Sequence, residues 1–380
     1  MLAYIGRVLA LGFLSLSCLP GALQADGLGG DMGGLRQQMQ SHGLNLDVTY
    51  VGEFVRNLDP GLVSQRKDTI YQDNLDLTAA LDSEAAGLWP GGTFFIYGLF
   101  NHGGFPSATV IGDLQAVSNI ETARNQFIIH QAWYEQQLAD GAVSLLGGLH
   151  DLNSDFYASE YASLFLNSSF GIGPEISGNV ATSLFPQAGL GFRLKLTTQD
   201  GWYVQTAVYD GDPATRSLSS AEGYMLIAEA GVHPDEGRSY KLGAWQHSAQ
   251  KSYAGQTFSS DYGLYALADQ PLYSFSGGGD LGGFAQFGWV PKKRNEITRY
   301  IGAGLHLKGA LPLRRDDELG LAVANAYTRT GTESSIELAW HADLYPGLVL
   351  QPSMQWILNP GGDAAASTIR VALLRFEISL

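Results

Sequence analysis

The sequence predicts an all-β protein: a transmembrane antiparallel up-and-down β-barrel of about sixteen strands, preceded by a short N-terminal periplasmic helix. Three observations carry this expectation. The chain ends in STIRVALLRFEISL (367–380), where Ala372, Leu374, Phe376, Ile378 and Leu380 share one face and Val371, Leu373, Arg375, Glu377 and Ser379 the other. On a soluble protein that greasy terminal strand would invite aggregation. In a barrel it pairs back onto the first strand and turns its apolar face to lipid. The same period of two recurs through most of the chain. Finally, charged residues make up only 16% and mean hydropathy is −0.02. Beyond the N-terminus no run approaches the roughly 18 apolar residues of a spanning helix.

Residues 1–25 read as a secretory signal: Arg7, then VLALGFLSLSCL, then a small-residue end at Leu23-Gln24-Ala25, with cleavage after Ala25. Cys18 is the sole cysteine, and Ser15-Leu16-Ser17 before it is a poor lipoprotein site, so the mature chain is expected to carry no thiol and no disulfide. Residues 26–43 form a short helical segment, with Leu35 and Met39 four apart and Gly43 as its stop. Residues 44–380 are then one barrel, since no internal repeat or linker divides them.

Strand by strand, Leu44, Leu46, Val48 and Tyr50 alternate with Asn45, Asp47 and Thr49, and Leu75, Leu77, Ala79 and Leu81 with Asn74, Asp76 and Thr78. Leu190, Phe192, Leu194 and Leu196 oppose Gly191, Arg193 and Lys195, and Trp202, Val204 and Val208 oppose Tyr203, Gln205 and Tyr209. Tyr240, Leu242 and Ala244 oppose Lys241, Trp245 and His247, and later segments oppose Ile301 to His306 and Lys308, and Ile336 and Leu338 to Glu337 and His341. Residues 93–100 are apolar on both faces, and residues 127–136 fit either parity. Asp140-Gly141, Gln199-Asp200-Gly201 and Asp235-Glu236-Gly237 read as tight turns. Residues 103–124, 152–186 and 249–261 read as long loops, the turn-and-loop asymmetry of outer-membrane barrels. A soluble β-sandwich or propeller would also alternate, but the signal segment, the strand count and the terminal strand together favour the membrane.

The net charge of −15 argues against nucleic acid as a partner, which needs a basic footprint. Asp151-Leu152-Asn153-Ser154-Asp155 starts like a calcium loop, but Phe156 and Ala162 stand where Gly and Glu are required; a looser calcium site in residues 151–160 stays open. Residues 277–282 spell G-x-G-x-x-G with no helical pattern after them, and there is no P-loop, H-E-x-x-H or G-x-S-x-G. No cofactor or catalytic set is expected. Most aromatics, such as Trp202, Trp340 and Trp356, read as interfacial girdles. By parity Glu53, Asp76, Arg193, Lys195, Tyr203, Tyr209, Lys241, Trp245, Lys308, Glu337, Arg375 and Glu377 face inward. Rings there could stack on the C–H face of a sugar while charges and amides bond its hydroxyls; any polar barrel interior would also look like this.

QPSMQWILNPGG (351–362), after Ile336-Glu337-Leu338 and Leu344-Tyr345-Pro346-Gly347-Leu348, resembles the C-terminal signature of the OprB carbohydrate-selective porin family. HQAWYEQQLADGAVSLLGGLHDLNSDFYASEYASLFLNSSFGIGP (130–174) resembles its central signature, and Arg315-Asp316-Asp317-Glu318-Leu319-Gly320 and LRQQMQSHGLNLDVTYVGEF are similar to further family segments. The resemblance implies a sixteen-stranded outer-membrane barrel of a Gram-negative-type bacterium. It implies passive, selective uptake of glucose-like monosaccharides or small oligosaccharides, with residues 151–186 as the loop that folds into the channel. Expected partners are sugars, outer-membrane lipids and lipopolysaccharide, and the barrel-assembly machinery, with monomer and homotrimer both open. Two departures stand out: the last residue is Leu380 where such barrels usually end in Phe or Trp, and the long loops are acidic. The competing functions are a general diffusion porin without sugar preference and an outer-membrane barrel enzyme such as a lipase or protease.

Overall fold

Every strand of the main sheet pairs with a neighbour on both sides, so no edge is left open. The computed structural model describes residues 27–30, 32–276, 278–311 and 313–380; the signal segment and its cleavage site lie outside the described residues. Sixteen antiparallel strands close into a ring, each beside its neighbour in sequence, and the first (Leu44–Asn57) pairs with the last (Ile369–Ser379). Glu53 stands opposite Arg375 and Thr49 opposite Ser379 in that seam. Closure follows from the terminal alternation: with both strands half apolar, each satisfies the other's backbone where lipid would not. A separate hairpin, Lys251–Tyr253 with Gln256–Phe258, sits in the connection before the strand Asp261–Ser274.

Parity sorts the side chains as the alternation requires. Leu242 (69% exposed), Leu264 (52%) and Leu321 (52%) point outward, while Lys241, Tyr265 and Ala322 on the same strands are buried inside. A surface so apolar would aggregate in water and is stable in hydrocarbon. Trp202 starts its strand and Trp289 ends one, with their rings outward, which places them at the membrane boundaries.

The two ends of the barrel differ. At the end where the first strand begins and the last one ends the strands turn tightly. Asp235 pairs with Arg238 around Gly237 (φ 69), and Tyr345 with Leu348 around Gly347 (φ 78). Those left-handed positions suit glycine in two-residue hairpins. The helix is Leu35–Ser41, shorter than the sequence suggests, because a 3-10 turn takes Met32–Gly34. It packs at the same end, where Arg36 Nη2 donates to the Leu380 carbonyl at 2.7 Å. The opposite end carries the long connections, above all residues 104–125 and 151–188.

Many inward glycines sit under a ring from the next strand. A Cβ on Gly243 would lie 2.0 Å from the Tyr265 ring, and one on Gly231 would lie 2.6 Å from Tyr203. Ring over glycine keeps the wall filled where the strand lacks a side chain.

Candidate functional site

A loop that enters a water-filled barrel brings backbone N–H and C=O groups that need partners. Here the wall supplies them. Residues 151–188 run inward as a chain of short turns, Leu152–Ser154, Tyr161–Leu164, Ser168–Phe170 and Pro174–Ser177. Phe156, Tyr157, Ile172 and Ile176 of this loop are buried in one cluster with Ala207, Ile227, Tyr265 and Val290 of the wall. Phe165 and Phe170 form a second cluster with Phe284 and Tyr300.

Three wall carboxylates grip the loop backbone. Glu229 accepts from Tyr157 N at 3.1 Å, and Asp269 from Ser159 Oγ at 2.6 Å and Glu160 N at 3.3 Å. Glu337 accepts from Leu166 N at 2.9 Å, Asn167 N at 3.0 Å and Ser353 Oγ at 2.7 Å. Donors face the carbonyls: Lys241 Nζ to Ala158 O at 2.6 Å, Gln351 to Leu164 O at 2.6 Å and Gln286 to Phe170 O at 2.8 Å.

The shorter loop, 104–125, uses the same device. Both oxygens of Glu333 take Leu114 N at 2.9 Å, Gln355 donates to Val117 O at 2.8 Å, and Arg375 Nη2 donates to Asn119 Oδ1 at 2.7 Å. The two loops then bond each other inside the barrel: Asn119 N to Leu166 O at 2.8 Å and Ser168 N to Ala116 O at 2.9 Å. Together they form a bridge that narrows the lumen.

All twelve inward candidates from the sequence face the interior, but they do different work. Glu53 and Arg375 form a buried ion pair at 2.9 Å, and Asp76 accepts from Tyr97 Oη at 2.8 Å. Arg193 lies between Glu135 at 2.7 Å and Asp155 at 3.1 Å. Burial works against ionisation of Asp155, but Arg193 and His150 outweigh it and hold the carboxyl well below the usual carboxylate range. Tyr203 Oη donates to Glu229 at 2.8 Å, and Tyr209 Oη meets His150 Nδ1 at 2.8 Å. Tyr203, Tyr209 and Trp245 are all buried, as are Lys241 and Glu337 where they hold the loop. Lys195 and Glu377 stay half-buried and face the remaining lumen. Lys308, at the terminal end, is exposed and pairs with Glu318 at 3.0 Å.

Parity missed the grip residues Glu229, Asp269 and Glu333, since nothing in their own strands tells that a loop lies over them. The acids of the calcium-like run are engaged by protein: Asp151 caps Asn153 N at 2.8 Å and meets His130 at 3.3 Å, and Asp155 holds Arg193. The glycine-rich run leads into the strand Asp280–Trp289, with no helix after it.

A sixteen-stranded barrel with a greasy exterior and a lumen narrowed by its own loops defines an outer-membrane porin. The family model for carbohydrate-selective porins, OprB family, matches residues 66–380, and the chain belongs to that family. It is therefore a sugar-selective channel of the outer membrane. The chain is 26% identical to Porin B of Pseudomonas aeruginosa across 98% of its length and 96% of that protein. It is 21% identical to the putative porin QuiX of Acinetobacter baylyi across 92% of each. Its fold matches the high-pH structure of Pseudomonas putida OprB with a TM-score of 0.87 at 23% identity, covering 94% of this chain and 99% of that one. The low-pH structure of the same protein matches at 0.64 and 21% identity, covering 95% of this chain and 100% of that one.

Proposed function

We propose that the solutes are glucose-like monosaccharides or small oligosaccharides, which pass by diffusion through the gap left beside the joined loops. The observation that carries this reading is the bond between the loops, Asn119 N to Leu166 O, because a bridge fixed at both walls sets a narrow passage of defined shape. In such a passage polar groups replace part of a sugar's hydration, and weak contacts suffice because the solute must leave again. Among the sequence candidates, Lys195 and Glu377 are assigned solute contact. Glu53, Asp76, Arg193, Tyr203, Tyr209, Lys241, Trp245, Glu337 and Arg375 are assigned to holding the wall and loops in shape.

No catalytic step belongs to this reading. The mature chain starts after Ala25, the barrel-assembly machinery inserts it, and lipid and lipopolysaccharide surround its apolar face. Liposome swelling with sugars, amino acids and salts of matched size tests the proposal. Faster entry of glucose than of amino acids of equal size is expected, and equal rates would make the protein a general diffusion porin. Hydrolysis of lipids or peptides by the pure protein, lost on one Ser or His substitution, would favour the barrel enzyme. Crosslinking in native membranes distinguishes a single barrel from a homotrimer.

A further inference from the structure

The rings that sequence parity offers for sugar stacking, Tyr203, Tyr209 and Trp245, are buried at 5%, 2% and 3% exposure, so no solute reaches their faces. Trp133 is different. It stands on the inner face of the strand Gln126–Leu138 and remains half-buried. One side of its ring is stacked with Phe95 at 4.9 Å between centroids and 26° between planes. On the other flank its cross-strand neighbour is Gly148, which has no side chain, and the His150 ring meets it nearly perpendicular, 6.2 Å between centroids and 80° between planes, so the ring is covered there only in part. Its indole N–H is already spent on Gln131 Oε1 at 3.2 Å, so what the ring offers is an apolar face.

Polar groups suited to hydroxyls stand beside it. Glu135, two residues on and on the same face, takes Arg193 Nη2 at 2.7 Å and Ser144 Oγ on its Oε1. Among the described residues its Oε2 has no partner, and the side chain keeps 15% exposure. Ser144 is the cross-strand neighbour of Lys195, which is half-buried and lies 5.1 Å over the Tyr203 ring. The lumen next to the start of the loop at Asp155 therefore holds a flat aromatic face, an unclaimed carboxylate oxygen and an ammonium group. A pyranose ring has matching chemistry: an axial C–H face that stacks on an aromatic, ringed by hydroxyls that accept from a cation and donate to a carboxylate.

We propose that Trp133, with Glu135 and Lys195, is a pyranose subsite that sets the channel's preference for cyclic sugars over open-chain polyols. The proposal rests on the sugar-channel reading above and adds the residue that discriminates. The experiment compares entry of glucose and of mannitol, solutes of nearly equal size but with and without a ring, into proteoliposomes, with potassium chloride conductance alongside. Trp133→Leu keeps bulk and removes the flat face; it is expected to lower the glucose-to-mannitol ratio about fivefold, the order of a lost ring contact, with conductance changed less than about twofold. Trp133→Phe is expected to keep most of the ratio. Glu135→Gln, which keeps the shape, is expected to lower glucose entry with mannitol unchanged, and it carries the test should Trp133→Leu fail to assemble.

A native ratio for Trp133→Leu would overturn the subsite. So would an equal rise in both solutes, which makes the ring a mere obstacle. A native protein that admits both at the same rate overturns the sugar preference itself and the subsite with it. Native preference with unaffected variants removes the subsite alone.

Discussion

The two loops that meet in the lumen are held by different forces. The longer one, 151–188, rests on large buried rings: Phe156, Tyr157, Phe165 and Phe170 all pack into clusters shared with the wall. The shorter one, 104–125, buries no aromatic ring among its described residues: it sets Val110, Ile111 and Val117 against Val55, Ile357, Ile369, Val371 and Leu373, with Ile120 also buried. It depends more on Glu333, Gln355 and Arg375. Apolar burial is spread over many contacts, whereas a hydrogen-bonded anchor is lost in one substitution. The longer loop is thus a fixed partition, and the shorter one the more easily released member of the bridge.

The largest effect should come from hollowing out the longer loop. Phe170 touches both Phe165 at 5.0 Å and Phe284 at 5.8 Å. Phe170→Ala should cost about 3–5 kcal/mol of loop docking by the usual core-truncation scale. Single-channel conductance should rise and sugar preference fall, while the barrel keeps its heat-modifiable mobility on gels. If the partition really is held by its rings, Glu337→Ala, which removes one grip, should do less than Phe170→Ala.

Arg375→Ala tests the other half of the comparison. It takes the donor from Asn119 Oδ1 and leaves Glu53 buried without its cation. Breaking a buried pair from one side costs on the order of 3 kcal/mol. Protease cleavage within residues 104–125 should increase while residues 151–188 stay protected. Equal cleavage of both loops would show that they move as one body.

A third substitution separates the loops by pH. Glu175 lies fully buried in the longer loop, and burial pushes its carboxyl from 4.5 up to about 8. Docking therefore suffers no penalty below pH 4.5, and weakens as pH rises from there to about 8, because the released loop ionises first. Glu175→Gln should flatten this dependence and make the loop more protected than native at pH 8, by on the order of 4 kcal/mol. Cleavage of residues 151–188 measured across that range decides it.

Much of the barrel could be read from alternation, because lipid outside and water inside impose a period of two on each strand. The stretch 127–136 resisted for a physical reason. Tyr97 pairs with Gln131 but Gly98 with Ile129, so a bulge at His130 shifts the parity in mid-strand. Phe127 before it and Trp133 after it consequently lie on opposite faces, and no single parity fits. Residues 93–100 were apolar on both faces because Phe95, Tyr97 and Leu99 build a cluster inside the barrel as well. The site was less legible. Parity tells which side of the wall a residue is on, but the cover over Tyr209 or Glu337 comes from a loop far away in sequence. Leu166 N, for example, finds Glu337 across 171 positions. That is also why the sequence points to inward folding of the longer loop alone and carries no sign of Glu333's contact with the shorter one.

The smallest effects should come from the charges that neither loop covers. Lys195 and Glu377 face the lumen half-buried and are not among the groups that hold the loops, so either can lose its charge with the loops still docked. Their field still reaches across a narrow passage, since screening takes roughly 10 Å at 0.1 M salt and only about 3 Å at 1 M. In a salt gradient Lys195→Ala should move the reversal potential toward cation preference and Glu377→Ala toward anion preference, and both shifts should vanish near 1 M. The strand Gly189–Thr197 lies across the sixteen-membered ring from the strand Thr332–Tyr345, which is two places from the one that carries Glu377. The two charges thus act from facing walls, and the double substitution should return the potential close to native. A double variant as displaced as either single one would mean that the solute path touches one wall alone.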